Sequence, residues 1–222
     1  NFDSWSVESA GFPSAEVLSR YTVLIWNTGY EQESADAGLS APEQQLIANY
    51  LDEGGNAFMV GQEIIPSTVS TDFMTDYLKV ASFQNDIVSE SESIITLSGV
   101  AANPITDGME LELSLPVDFP MNHTDAVSPV GSATGILTHG LPDHQDKPYS
   151  AVSYNGDDFK MVFMAAPFEA ISTSVEGPDN QQTVMQRIIE FLGEPELSES
   201  RTGVTEVSSL NPEIGGSDEI VI

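Results

Sequence analysis

Cysteine is absent from the 222-residue chain, and cations are scarce: six Lys and Arg stand against 35 Asp and Glu, a formal charge of −29. Without cysteine there is no disulfide framework, no thiolate nucleophile and no thiolate metal site, so redox chemistry does not fix a compartment. The few basic residues, Arg20, Lys79, Lys147, Lys160, Arg187 and Arg201, exclude nucleic acid as a partner, because phosphates need cations to neutralise them. An anionic membrane surface is excluded on the same ground. No apolar run reaches the roughly 18 residues of a membrane span. Asn1 to Val7 lack the basic start and apolar core of a signal peptide, so an export signal is expected upstream of this chain.

The acids are spread along the chain instead of forming one tail. That is the pattern of a solvated surface, and a saline setting would screen its self-repulsion best. With 40% hydrophobic residues the chain can bury one substantial core. The clearest strand is Tyr21 to Trp26, a continuous β-branched and aromatic run, followed by the turn cluster Asn27-Thr28-Gly29. Ser40-Ala41-Pro42-Glu43 reads as a capping box opening a helix whose inner face is Leu46, Ile47, Tyr50 and Leu51. Gly54-Gly55 stops that helix, and Ala57 to Val60 supplies the next strand, ending at Gly61-Gln62-Glu63. Strand, capped helix and strand make a βαβ unit with a right-handed crossover.

Thr71 to Val80 reads as a shorter helix. The middle holds short β-like pieces such as Ile94 to Leu97 and Met109 to Leu115, which periodicity does not order. Ser150 to Tyr154 and Lys160 to Ala165 flank Asn155-Gly156, a hairpin signal. A last helix starts near Asn180, buries Val184, Ile188, Phe191 and Leu192, and stops at Gly193. Beyond Glu196 the Ser, Thr, Glu and Gly-rich sequence reads as a linker or disordered tail that is dispensable for folding.

The stretches YTVLIWNTG, LSAPEQQLIANYLDEGG and AFMVGQEI, then ANPITDGMELEL and FKMVFMAAPFEAI, resemble in their order the class I glutamine amidotransferase-like domains of secreted bacterial multidomain proteins. The resemblance covers roughly residues 1 to 193 and implies an α/β fold. The expected form is a flavodoxin-like three-layer sandwich with a mostly parallel sheet, over residues 1–195, with 196–222 as linker or tail. Such domains open with one more strand and helix than this chain has, which implies an N-terminally incomplete fragment. RTGVTEVSSLNPEIGG in the tail resembles the linkers of type IX secretion substrates.

In that family a Cys nucleophile stands on the turn after the strand matching Ala57 to Val60. Here the turn is Gly61-Gln62-Glu63, so the family's acyl-transfer chemistry is not carried over. Asn27, Thr28, Gly29, Gln62 and Glu63 are the candidate ligand-binding residues, because ligands gather at the carboxyl ends of parallel strands; local hydrogen bonding that holds the loops is the competing role for Gln62 and Glu63. His123, His139 and His144 match no metal-ligand spacing and read as surface-loop histidines, so no metal and no cofactor is expected. Asn122-His123-Thr124 is formally a glycosylation acceptor. The expected function is a non-catalytic structural or binding accessory domain of an extracellular bacterial protein. Its partners would be neighbouring domains, with a peptidase or other hydrolase module beside it.

Two alternatives stay open. One is hydrolysis of amide or ester bonds by Glu63 with a histidine. The other is calcium-dependent adhesion through weakly binding acidic loops such as Asp143 to Asp146 or Asn155 to Asp158. A melting temperature that climbs between about 0.01 and 1 M sodium chloride, as the Debye length contracts from about 30 to 3 Å, is expected if self-repulsion limits stability. A flat response would reduce the acidic surface to a solubility device.

Overall fold

The computed structural model describes residues 2–29, 38–66, 70–87, 94–115, 123–139, 149–193 and 219–221. The chain runs β1 (Ser4–Ser6), α1 (Val7–Ala10), α2 (Ala15–Leu18), β2 (Val23–Asn27), α3 (Ala41–Asp52), β3 (Asn56–Val60), α4 (Thr71–Asp76) and β4 (Val80–Gln84). It continues through β5 (Ile94–Gly99), β6 (Glu110–Ser114), β7 (Ala126–Pro129), β8 (Thr134–His139), β9 (Tyr149–Asn155) and β10 (Lys160–Met164). A 3-10 turn (Phe168–Ala170), α5 (Gln181–Leu192) and β11 (Glu219–Val221) complete it.

The βαβ unit forms as its sequence dictates. Ser40 Oγ accepts the Glu43 N–H at 3.4 Å while Glu43 Oε2 accepts the Ser40 N–H at 2.6 Å, a reciprocal cap of a kind that contributes about 1 kcal/mol. Gly54 ends α3 at φ 90°, a left-handed conformation that glycine takes without a Cβ clash. Its neighbour Gly55 has a different reason to lack a side chain: an added Cβ would sit 2.3 Å from the Tyr50 ring. β2 and β3 then pair in parallel from Val23 opposite Asn56 to Asn27 opposite Val60.

Side chains alternate across β3. Ala57 and Met59 join Leu24, Trp26, Ile47 and Leu51 on the α3 side, while Phe58 and Val60 join Val162, Met164, Val184, Ile188 and Leu192 on the α5 side. Asn56 clamps the start of this strand. Its Nδ2 donates to the Leu192 carbonyl at 2.8 Å, and its Oδ1 accepts the Lys160 N–H at 2.6 Å.

Beyond that unit the flavodoxin-like expectation fails. The sheet order is β1-β11-β2-β3-β10-β9-β8-β5-β6, with β4 on β7 and β7 on β9 off the path. Only the β2/β3 and β3/β10 pairings are parallel; the other eight are antiparallel. The molecule is a mostly β, mixed and curled half-barrel sheet with few helices, not a three-layer α/β sandwich with a mostly parallel sheet.

The physical reason lies in the chain between β3 and β10. A parallel sheet needs a crossover helix for each added strand. Among the described residues, this stretch holds one six-residue helix, α4, against six strands joined antiparallel. β6 shows the pattern in its sequence, ELELS, with Leu111 and Leu113 buried and Glu110 and Glu112 exposed. One wet face and one dry face is the antiparallel signature. β8 slips register twice against β9, near Gly135/Leu137 and Leu137/Thr138. Such irregularities bend a sheet.

Smaller expectations also shift. The helix expected over Thr71 to Val80 stops at Asp76, and Val80 already begins β4. The hairpin flanking Asn155-Gly156 is present, with Lys160 opposite Asn155 and residues 156–159 as its loop. Of the segment expected to be linker, Glu219–Val221 lies in the sheet between β1 and β2, antiparallel to both; residues 194–218 lie outside the described residues.

The turn that leaves β3 is sterically closed. A Cβ on Gly61 would stand 1.9 Å from Thr28 Oγ1, and Thr28 is itself 1% exposed, so neither side has room to yield. Gly61→Ala should therefore lower stability by about 1–3 kcal/mol, the usual cost of overpacking. Adding Thr28→Ala, which removes the clashing hydroxyl, should restore more than half of that loss. Equal urea midpoints for the wild type and Gly61→Ala would refute this account of the turn.

Candidate functional site

Three parallel strands, β2, β3 and β10, end at one edge of the sheet, with Asn27 opposite Val60 and Val60 opposite Met164. The residues that follow them are neighbours because of that register. Asn27 serves the turn itself: its Oδ1 accepts the Gly29 N–H at 2.9 Å and its Nδ2 donates to Glu169 on the 3-10 turn. Gly29 sits at φ 63°. Thr28 donates its N–H to the Val60 carbonyl at 3.0 Å, while its buried Oγ1 has no hydrogen-bond partner among the described residues.

On the β3 side the turn residues reach a second chain segment. Gln62 is fully buried, and its Oε1 accepts the His123 N–H at 3.2 Å. Glu63 is 8% exposed, with Oε1 3.4 Å from His123 Nδ1. The same Nδ1 is hydrogen-bonded to Asp86 Oδ1 at 2.8 Å, with the carboxylate as acceptor. Asp86, at φ 51°, lies just past β4 in a left-handed conformation that Asp tolerates better than most residues. Its N–H donates to Asp125 Oδ1 at 3.0 Å. Asp125 in turn donates its own N–H to the Ala165 carbonyl beyond β10 at 3.0 Å.

Glu63, Asp86 and His123 thus come from three separate loops, with one ligand-type atom from each lying within 4.8 Å of the others. Burial pushes the Glu63 carboxyl up from its ordinary value; His123 pulls it back down and Asp86 raises it again. Asp125, 0% exposed, is pushed up to about 8, first by burial and further by the charges of Glu63 and Asp86, against the lowering effect of the Asp86 N–H. Four described cations are engaged elsewhere. Arg20 pairs with Glu16, Lys79 stands over Tyr154 and Phe159, Lys160 faces Phe191, and Arg187 donates to the carbonyls of Ile105 and Asp107.

The five residues expected from sequence do gather at one edge, but they divide into two kinds. Asn27, Thr28 and Gly29 shape the turn, whereas Gln62 and Glu63 enter the carboxylate–imidazole cluster. Sequence reading missed Asp86 and Asp125, which have no distinguishing neighbours in a chain with 35 acidic residues. It also placed all three histidines on surface loops. His123 is partly buried in the cluster and His139 is 1% exposed at the end of β8; His144 and the acidic loop Asp143 to Asp146 lie outside the described residues.

No protein-family model matches the chain, and no curated protein matches it in sequence. Solved structures share its fold at low identity. A cytoplasmic protein of Salmonella typhimurium, STM3548, is 15% identical with a TM-score of 0.53, over 82% of this chain and 76% of that one. The N-terminal domain of mmIFT52 is 14% identical with a TM-score of 0.51, over 83% and 82%. The β-galactosidase of Bacillus circulans sp. alkalophilus is 9% identical with a TM-score of 0.50; the match covers 78% of this chain but only 23% of the enzyme. At these identities the likeness is one of fold alone.

Proposed function

We propose that the chain is a non-catalytic binding domain that takes a positively charged group at the carboxyl ends of β2 and β3. One observation carries the reading: Glu63, Asp86 and Asp125 approach one another with no Lys or Arg paired to any of them among the described residues. Packed carboxylates with no charged partner beyond the His123 imidazole are costly, because desolvation and mutual repulsion act in the same direction. A cationic ligand would relieve both. The lack of any cysteine separates this site from thiolate acyl transfer. The resemblance noted from sequence suggests an extracellular bacterial protein as the setting, with this domain beside others in a longer chain.

A second reading has its own support. Asp86 holds His123 through Nδ1, which leaves Nε2 able to accept a proton from water, and Glu63 beside it has a raised pKa. That is the arrangement of a general base, and it favours the amide or ester hydrolase over the calcium-dependent adhesion module. The two readings separate in one set of measurements. With spermidine as probe at about 0.15 M salt, where long-range attraction is screened, calorimetry should give saturable binding that weakens in Glu63→Gln and Asp86→Asn. The same protein should turn over neither glutamine nor generic amides and esters. A positioned acid–base pair contributes about 100- to 10,000-fold, so turnover falling by such a factor in His123→Gln would replace binding with hydrolysis.

A further inference from the structure

We infer that Glu63, Asp86 and His123 form a site for one divalent transition-metal ion of the zinc class, with Asp125 as the carboxyl that holds Asp86 in position. This rests on the cation-binding reading above and specifies its ligand. The donor set decides the class of ion. Two carboxylates and an imidazole are a borderline set that suits zinc and its first-row neighbours, whereas calcium seeks six to eight oxygens and magnesium keeps most of its waters. Two carboxylate charges also balance a dication.

The two spacings to His123 lie near those of such an ion, and Glu63 and Asp86 approach each other within 4.8 Å. With metal–ligand bonds of about 2.0–2.2 Å, tetrahedral ligand atoms stand about 3.3–3.6 Å apart. His123 Nδ1 is 3.4 Å from Glu63 Oε1, and 2.8 Å from Asp86 Oδ1, where a shared proton now joins them. An ion entering there takes the Nδ1 lone pair as the imidazole's one N–H proton shifts from Nδ1 to Nε2, so the ring ligates as the neutral tautomer. The required opening of the Asp86 contact is about 0.5–0.8 Å, and Asp86 is the most exposed of the three, at 34% for its side chain.

Asp125 is the independent observation. It is 0% exposed; Oδ1 accepts the Asp86 N–H, and Oδ2 has no hydrogen-bond partner among the described residues. A fully buried carboxyl that fixes the backbone of the ligand-bearing Asp86, with its other oxygen unpartnered among the described residues, is suited to support a metal site from its outer shell. Gln62 adds a second tether, since its Oε1 fixes the backbone of His123.

The test uses the full 222-residue chain, stripped with EDTA and titrated with zinc chloride by calorimetry and with cobalt chloride by visible absorption. One Zn2+ per chain is expected, with cobalt d–d bands marking a nitrogen- and oxygen-ligated ion. Asp86→Asn and His123→Gln, with folding checked by circular dichroism, should each weaken binding at least about tenfold, the lower bound even for outer-shell partners. Asp125→Leu, which removes the acceptor of the Asp86 N–H, should weaken it by a similar factor without abolishing the cobalt bands, while Asp125→Asn, which keeps an acceptor there, should retain most of the affinity. Zinc bound equally well by all variants would lie elsewhere and would overturn the assignment. Spermidine binding that depends on Asp86, with no zinc uptake, would overturn the metal and leave the cation reading standing. Loss of both would overturn both.

Discussion

Every side chain of β3 from Ala57 to Val60 is buried, so this strand must be covered on both faces and paired on both edges for the chain to fold at all. α3 and its neighbours cover one face, α5 the other, and β2 and β10 take the edges. Burial of such a run is worth about 25 cal/mol per Å² of apolar surface, and its neighbour β10 divides Met161 and Phe163 from Val162 and Met164 between the same two cores. The remaining strands are attached outward from this spine. β9 follows from β10 by a hairpin, β8 and β5 follow from β9, and the sheet curls as it goes.

The same constraint creates the cluster. Because β2, β3 and β10 are parallel, their carboxyl ends share one edge, and backbone groups there have no further ladder partner. The Thr28, Gly61 and Asp125 N–H groups meet that need at the Val60, Met164 and Ala165 carbonyls, and Asn27, Gln62 and Asp125 side chains then tie in Glu169, His123 and Asp86. Polar groups held this way are buried, and burial raises the carboxyls of Glu63 and Asp125 above their ordinary values. The chemistry of the site therefore follows from its place at the end of a dry strand more than from the overall acidity of the chain.

Much of the spine was legible in the residues. The capping box at Ser40 and Glu43, the left-handed stop at Gly54 and the apolar run of β2 are local signals, and each was realised because local and tertiary demands agree. α5 was readable for the same reason, through Val184, Ile188 and Leu192. The order of β4 to β8 was not. Their pairings join residues far apart in sequence, as Leu97 with His139, and no period-two pattern names a partner. The alternation of ELELS at β6 did indicate a one-sided strand, a sign against a mostly parallel sheet. At the site, Glu63 could be placed from the turn it occupies, whereas Asp86 and Asp125 acquire their meaning only when three loops meet.

β11 sets Ser4 opposite Val221 and Ser6 opposite Glu219. β1 and β11 run antiparallel, so Ser4 and Val221 lie side by side at one corner of the sheet. Tension applied through those two residues would load the β1/β11 ladder one bridge after another, as a zipper opens, instead of shearing all bridges together. Under such a load the β1/β11 ladder is the first to part, while the β2/β3/β10 spine and the cluster at its edge stay outside the line of force until it has opened.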